Sequence, residues 1–374
     1  MPPKFLTALT LTTLLLSGLP ILPLADRLTP PAAAQTDPKA EADRLLNLGA
    51  AQFNRSRFRE ALQSWQESLK LYRQLDDRLG EANSLGNLGS AYFSLGKYHK
   101  AIEIYQQILP IFREIGNRQG EAASLGNLGL AYRNLGDYSK AIDFHHQSLV
   151  IDREIGDRRE EANSLSNLGI VYHSLGDYGK AVDFQQQSLI IAREIGDQHG
   201  EANSLSGLGI VYHFLGDYGK AIDFQQQSLA IKREIGDQHG EANVLGNLGL
   251  AYDSLGDYGK AIAFYQQALA ITHDIGSRRE EAASLSNLGI TYGDLGDYGK
   301  AIDFHQQSLA IDRKIGNRRG EAASLSGLGN AYRNLGDYGK AIDFHQQSLA
   351  IDREIGNRWG KRLPWETWAM LTFP

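Results

Sequence analysis

Asparagine returns on a single 40-residue spacing through most of the chain, at Asn47, Asn87, Asn127, Asn167, Asn247 and Asn287, and Gly207 and Gly327 hold the two places it skips. A carboxamide both donates and accepts, so a row of them suits hydrogen bonding along a line. The partner is either neighbouring backbone of the same chain or an extended polypeptide laid beside it, at about 0.5–1.5 kcal/mol net per bond. This is binding chemistry rather than bond-making chemistry.

The residues that could make or break bonds form no constellation. His173 and His213 share a register but lie one period apart, roughly 10 Å by the packing distance of helices, too far to hold one ion directly. His145, His305 and His345 follow Phe144, Phe304 and Phe344 and read as packing residues. No Ser, His and acid fall into a nucleophile motif, and the glycines follow the period rather than a phosphate loop. With no cysteine, disulfides, thiolate metal sites and a cysteine nucleophile are excluded. The expectation is therefore a non-enzyme with no metal and no cofactor. The formal charge is −6, from 38 basic and 44 acidic residues that alternate along the chain, which argues against a nucleic-acid partner.

What positions the asparagines is a block of 40 residues that recurs eight times from Glu41 to Gly360 without insertion or deletion. Gly49, Gly89, Gly129, Gly169, Gly209, Gly249, Gly289 and Gly329 fall on one register, and Tyr92, Tyr132, Tyr172, Tyr212, Tyr252, Tyr292 and Tyr332 on another. Self-similarity at such a period means stacked units sharing one core. Within the block Glu121–Glu160, Ala122, Leu125, Leu128 and Ala131-Tyr132 recur at helical spacing. Leu135-Gly136 stops that helix and Asp137 can cap a second, which carries Tyr138, Ala141-Ile142, Phe144, Leu149 and Ile151 and ends at Ile155-Gly156. Asp157 then opens the next block, with Glu160 at capping-box spacing. Each helix is about 17 residues by this reading. Gly129 and Ala141 mark places where the two helices approach closely, and bulk there would cost roughly 1–3 kcal/mol. The fold expected is all-α: a right-handed α-solenoid of eight helix-turn-helix repeats, 41–80, 81–120, 121–160, 161–200, 201–240, 241–280, 281–320 and 321–360, with about 16 antiparallel helices.

The run Asn127-Leu128-Gly129-Leu130-Ala131-Tyr132, followed by Leu135-Gly136-Asp137-Tyr138, Ala141-Ile142 and Leu149, resembles a tetratricopeptide repeat. All eight blocks carry it, the first most divergently: Gln52, Ser56 and Phe58 stand where the others have Tyr, Gly and Tyr. The second helix is extended through Arg153-Glu154-Ile155-Gly156, which is similar to the 40-residue variant of Pins-like spindle-orientation proteins and to cyanobacterial arrays that often precede a caspase-like CHAT domain. No CHAT-like segment is present. The resemblance implies a protein or peptide ligand, and no small-molecule substrate, in a concave groove lined by the first helix of each pair. Carried over by register, it makes the asparagine row the ligand-facing ladder. Six residues further on, Phe53, Phe93, Arg133, His173, His213, Asp253, Gly293 and Arg333 vary while their surroundings stay fixed. They are expected on the inner face as specificity residues, with Phe214, Asp294, Asn83, Asn163, Asn203 and Asn243 contributing from neighbouring registers; drift of solvated positions is the competing explanation.

The two ends depart from the period. Lys4, an apolar Phe5–Leu24 and the small residues Ala32-Ala33-Ala34 read as a signal peptide over 1–34, cleaved to leave an exported protein with a linker at 35–40; an uncleaved membrane anchor is the alternative. Cleavage would remove Lys4, Asp26 and Arg27 and take the charge from −6 to −7. Lys361–Pro374 abandons the pattern. Reading each codon one base earlier turns Glu366 and Ala369 into Gly and allows Leu, Asn, Leu, Asn, Ala and Tyr at Trp365, Thr367, Trp368, Met370, Leu371 and Thr372, which is the opening of a ninth block. A one-base slip near Gly360 is therefore expected, leaving a scaffold or the sensor region of a longer effector; the competing reading is a hydrophobic cap on the eighth block. An uncapped end of this kind could self-associate.

Overall fold

A computed structural model describes residues 37–55 and 57–356 of the chain. The expected leader at 1–34, the turn residue Ser56 and the aberrant tail at 361–374 lie outside the described residues. The described residues form sixteen α-helices in eight pairs: α1 (Pro38–Asn54) with α2 (Phe58–Gln74), α3 (Arg78–Ser94) with α4 (Tyr98–Glu114), α5 (Arg118–Leu135) with α6 (Tyr138–Ile155), α7 (Arg158–Leu175) with α8 (Tyr178–Glu194), α9 (Gln198–Phe214) with α10 (Tyr218–Glu234), α11 (Gln238–Ser254) with α12 (Tyr258–Asp274), α13 (Arg278–Asp294) with α14 (Tyr298–Ile315), and α15 (Arg318–Asn334) with α16 (Tyr338–Glu354). There is no strand among them. Each helix packs on the next, giving an α-solenoid.

Most of the turns use the same device. Gly136 adopts φ 80°, its amide donates to the Arg133 carbonyl, and the Asp137 amide donates to that of Tyr132, a Schellman closure of α5. The Asp137 carboxylate then accepts from the amide of Lys140 and starts α6. Gly156 and Asp157 repeat the arrangement between α6 and α7. Because Asp or Asn caps at 77, 117 and 157, the structural pair begins three residues ahead of the sequence block. Residues 35–40 are also not wholly a linker: Asp37 caps and Pro38 occupies the first helical position, so α1 starts there.

Between the helices of a pair, the glycine register takes a side chain from the partner helix. A Cβ on Gly129 would lie 2.6 Å from the His145 ring, and one on Gly249 would lie 2.5 Å from the Tyr265 ring. Cross-helix hydrogen bonds add to this: Ser148 donates to the Ala122 carbonyl, Ser188 to Ala162, Ser228 to Ala202 and Ser308 to Ala282. Tyr132 stacks on Phe144 at 5.4 Å with the Lys140 ammonium over its other face.

Charge ties each repeat to the next. The buried Glu121 carboxylate accepts from Arg113 of α4 and Arg118 of α5, and Arg118 reaches on to Glu154 of α6. Glu81, Glu161 and Glu321 are held by arginine pairs in the same way. In the fifth and sixth repeats Gln198 and Gln238 replace the second arginine, so Glu201 and Glu241 pair with Arg193 and Arg233 alone. Burial pushes the carboxyls of Glu121, Glu161 and Glu321 up, but the two arginines outweigh it and leave each below the ordinary value.

Two outcomes are expected. These depressed carboxyls stabilise the fold above the unfolded glutamate value of about 4.3 and lose that contribution as pH falls through their lower folded values, while the buried rings of His145 and His305, pushed down to about 4, lose theirs from about pH 6.5 downward, so urea midpoints should begin to fall near pH 6.5 and drop further below about pH 4.5. Asp76 takes φ 52° where the later turns use glycine. Replacing it by glycine should raise the unfolding free energy by about 0.5–1 kcal/mol, whereas Gly136→Ala should lower it by about 1 kcal/mol, both read by denaturant titration.

Candidate functional site: the inner face of the first helices

Successive first helices touch one another directly, α7 with α9 and α13 with α15 most extensively, in addition to packing on their own partners. Their outward surfaces therefore form the shorter, inner side of the stack. On α7 this surface is built from Asn163, Asn167 and Ile170, which fall at i, i+4 and i+7 and so share one helical stripe. The neighbouring stripes read Asn83, Asn87 and Ser90 on α3, Ala123, Asn127 and Leu130 on α5, Asn203, Gly207 and Ile210 on α9, and Asn243, Asn247 and Leu250 on α11.

Two adjoining hollows run along these stripes. One, of about 680 Å³, spans α5 to α11 and is lined by Asn127, Asn163, Asn167, Asn203, Asn243 and the aliphatic side chains Leu130, Ile170 and Ile210, among others. The second, of about 380 Å³, spans α1 to α5 and includes Asn47, Asn83, Asn87 and Asn127. Asn247 and Asn287 take the equivalent half-exposed places on α11 and α13, beyond the linings of these hollows. Among the described residues, no side-chain hydrogen bond is made by Asn47, Asn87, Asn127, Asn167, Asn247 or Asn287. The neighbouring-backbone use of the row is thus not what the fold employs.

The varied register lies elsewhere. Six residues is 240° around a helix, which carries this position off the asparagine stripe and toward the turn. His173 packs on the turn residue Tyr178 at 5.7 Å and on Phe214 of the next repeat at 4.7 Å, and His213 packs on Tyr218 at 5.3 Å. Phe53 and Phe93 meet Phe58 and Tyr98 in the same way. Asp253 accepts from Thr291 Oγ1 at 2.7 Å in the following first helix. Burial lowers the pKa of Arg133, His173 and His213, while Arg333 stands exposed. His173, His213 and Asp253 are therefore turn and inter-repeat contacts, and none of Arg133, His173, His213, Asp253 and Arg333 lines the two hollows, which departs from the inner-face expectation.

Two features of the groove carry only a faint signal in the sequence. The first is the aliphatic stripe Leu130, Ile170, Ile210, Leu250 and Ile290, marked by its i+3 spacing from the asparagine ladder. Exposure of 42% at Leu250 and 49% at Ile290 shows that these side chains are not core. The second is a register on the second helices, Tyr72, Phe112, Asp152, Ala192, Lys232, Thr272 and Asp312, that reaches the groove floor at Asp152 and Lys232. Lys232 is neutralised there by Asp237 Oδ2, and Asn203 Oδ1 also accepts from it, each at 2.8 Å. Among the described residues no group of three His, Asp or Glu gathers as for a metal ion. His145 and His305 are buried against Gly129 and Gly289, and burial pushes both down to about 4.

The tetratricopeptide repeat family model matches residues 41–114, 120–194, 173–234, 201–272 and 280–354. No curated protein matches the chain. Among solved structures, the apo form of the quorum sensor NprR from B. thuringiensis is similar over 84% of this chain and 88% of its own, with a TM-score of 0.64 and 14% identity. A Signal Transduction ATPase with Numerous Domains protein with a tetratricopeptide repeat sensor, from Pyrococcus horikoshii, is similar over 86% of this chain and 50% of its own, with a TM-score of 0.62 and 18% identity. A Rap protein complexed with Competence and Sporulation Factor covers 86% and 94%, with a TM-score of 0.57 and 15% identity. At these identities the likeness is one of fold.

Since Asn127, Asn167 and Asn247 make no side-chain hydrogen bonds within the described residues, their intrinsic helix cost is uncompensated. The triple replacement N127A/N167A/N247A is expected to raise the unfolding free energy by about 1–2 kcal/mol, the propensity difference summed over three sites. Denaturant titration checks this, and a fall in stability would mean that the amides serve the fold.

Proposed function

From the premise that the chain belongs to the tetratricopeptide repeat family, we propose that this repeat scaffold holds an extended peptide or protein segment along the inner face of its first helices. The observation that carries the reading is the amide row itself, half-exposed on the groove and without intramolecular partners. An extended segment presents a donor and an acceptor at every residue, which is what a line of carboxamides can satisfy irrespective of sequence. The aliphatic stripe of Leu130, Ile170, Ile210, Leu250 and Ile290 beside it gives alternate side chains an apolar surface. Polar and apolar lines in parallel suit a strand-like ligand with one face of each kind.

A Rap protein of similar fold is complexed with Competence and Sporulation Factor, which supports a partner-binding role for such a scaffold. The groove lining, rich in carboxamides and aliphatic side chains, is chemically suited to binding rather than turnover.

The test uses the full-length protein to select binders from a displayed library of random 12-residue peptides. Selected peptides should bind the wild-type chain and lose at least tenfold in affinity for N127A/N167A/N247A while helicity by circular dichroism is unchanged. Selection of no peptide, or equal affinity for the triple variant, would overturn the groove reading.

A further inference from the structure

One charged group on the groove floor has no neutralising partner. Asp152, on α6, is 2% exposed and lines the larger hollow. Its Oδ2 accepts from Ser164 Oγ at 2.8 Å and from Ser148 Oγ at 3.4 Å. Oδ1 accepts no hydrogen bond and no basic side chain pairs with the carboxylate among the described residues; the charged neighbours that act on it are Glu160 and Asp157, both of its own sign. The contrast with its own register is direct. Lys232 is neutralised by Asp237, neutral side chains stand at Tyr72, Phe112, Ala192 and Thr272, and Asp312, which does not line the hollow, has both oxygens bonded, Oδ1 by Asn317 Nδ2 at 2.7 Å and Oδ2 by Ser308 Oγ at 3.5 Å.

The fourth repeat, like the seventh with Glu280, also adds charge where the others have none. Glu160 lines the same hollow at a place that is glycine at Gly80, Gly120, Gly200, Gly240 and Gly320. A buried carboxylate bonded only to two hydroxyls, with like charge at its mouth, is costly in the empty protein and becomes favourable when a cation closes on it. Burial already pushes the Asp152 carboxyl up to about 6. No third ligating group accompanies the pair, so the geometry suits an organic cation rather than a coordinated metal.

Building on the groove reading above, we propose that the bound segment carries a lysine or arginine side chain whose head group enters the hollow between α5 and α7 and pairs with Asp152, with Glu160 at the entrance. The stem of such a residue is long and apolar, and Leu130 and Ile170 line the way in. Lys232, two repeats along the same hollow, is already paired with Asp237, so that end of the hollow offers no free carboxylate to a second basic residue.

The experiment is a double-mutant cycle on the peptides selected by the full-length protein from the random 12-residue library, measured by calorimetry at pH 7.5. The selected peptides should share one lysine or arginine position. Replacing that residue by glutamine, or changing the protein by Asp152→Asn, should each weaken binding at least tenfold, and the two losses should not add. Asp152→Asn keeps the shape and its serine partners, and its circular dichroism should match wild type; Glu160→Gln, at the entrance, should lose less. Lowering the pH to 5 protonates Asp152 and should weaken wild type while leaving Asp152→Asn unchanged. Selected peptides with no shared basic position, or losses that add independently, would overturn the cation site and leave the groove reading standing. Selection of none would overturn the groove reading, and the cation site with it.

Discussion

A residue held in the left-handed region every 20 positions is the constraint from which the architecture follows. From Gly96 to Gly356 the positive-φ glycines come at that interval without a gap. From Gly96 to Gly336 each ends one helix by a Schellman closure, and from Gly116 to Gly336 the chain passes at once to an Asp, Asn or Ser at the N-cap of the next helix. Equal spacing makes the helices nearly equal in length, at 17 or 18 residues. Equal lengths bring every first helix back in the same rotational phase. Only then can Asn87, Asn127 and Asn167 lie on one line across three separate helices. The proposed binding surface is thus a consequence of turn chemistry applied at a strict interval, not of contacts among the asparagines themselves.

The second constraint is the helix-facing glycine, and it explains how a strict period tolerates variety beneath the groove. Gly49, Gly89, Gly129 and Gly169 leave a socket that receives, in turn, Trp65, Tyr105, His145 and Gln185. These side chains differ in size and polarity, yet the helix pairing does not change, because the socket is made by the absence of a Cβ rather than by a shaped partner. Where Gly207 and Gly327 interrupt the asparagine row, Gln185 and His305 of the preceding repeat lie within 3 Å of where a Cβ would stand. Variation below the groove floor and variation in its lining are therefore coupled across the repeat boundary.

Features that are local or strictly periodic are legible in the residues alone. The period, the caps and the helix-facing glycines are of this kind, so Gly136, Asp137 and Gly129 declare their roles in the sequence. Angular position is harder to read. Arg133 and His173 vary conspicuously, but they are turned away from the asparagine stripe, and His173 packs on a turn tyrosine and on the next repeat, where variation reflects fit between neighbours. Asp152 is hidden for a different reason. It sits on the second helix, which periodicity assigns to the outer layer, and only the packing of one layer on the other brings it to the groove floor. The start of α1 at Pro38 is masked because the 40-residue period fixes a block length and no block edge; the edge is set by the cap at Asp37.

The energetics of the groove run against those of the fold, and that opposition is itself informative. Carboxamides within helices cost about half a kilocalorie each relative to alanine, exposed aliphatic side chains on the inner face gain nothing from the core, and an un-neutralised Asp152 adds a desolvation cost. Elsewhere the same repeats are largely consistent: most caps are satisfied, the sockets are filled and the buried glutamates are paired with arginine. A sequence this regular has ready substitutes for each unfavourable choice. Ala123 and Ala283 already stand where Asn163 and Asn203 do, and Thr272 already stands at the register of Asp152. Local conflicts gathered on one surface accord with the proposal that this surface is stabilised from outside the chain. The ladder, the stripe and the lone carboxylate all lie on that surface, so the proposed bound segment would relieve all three.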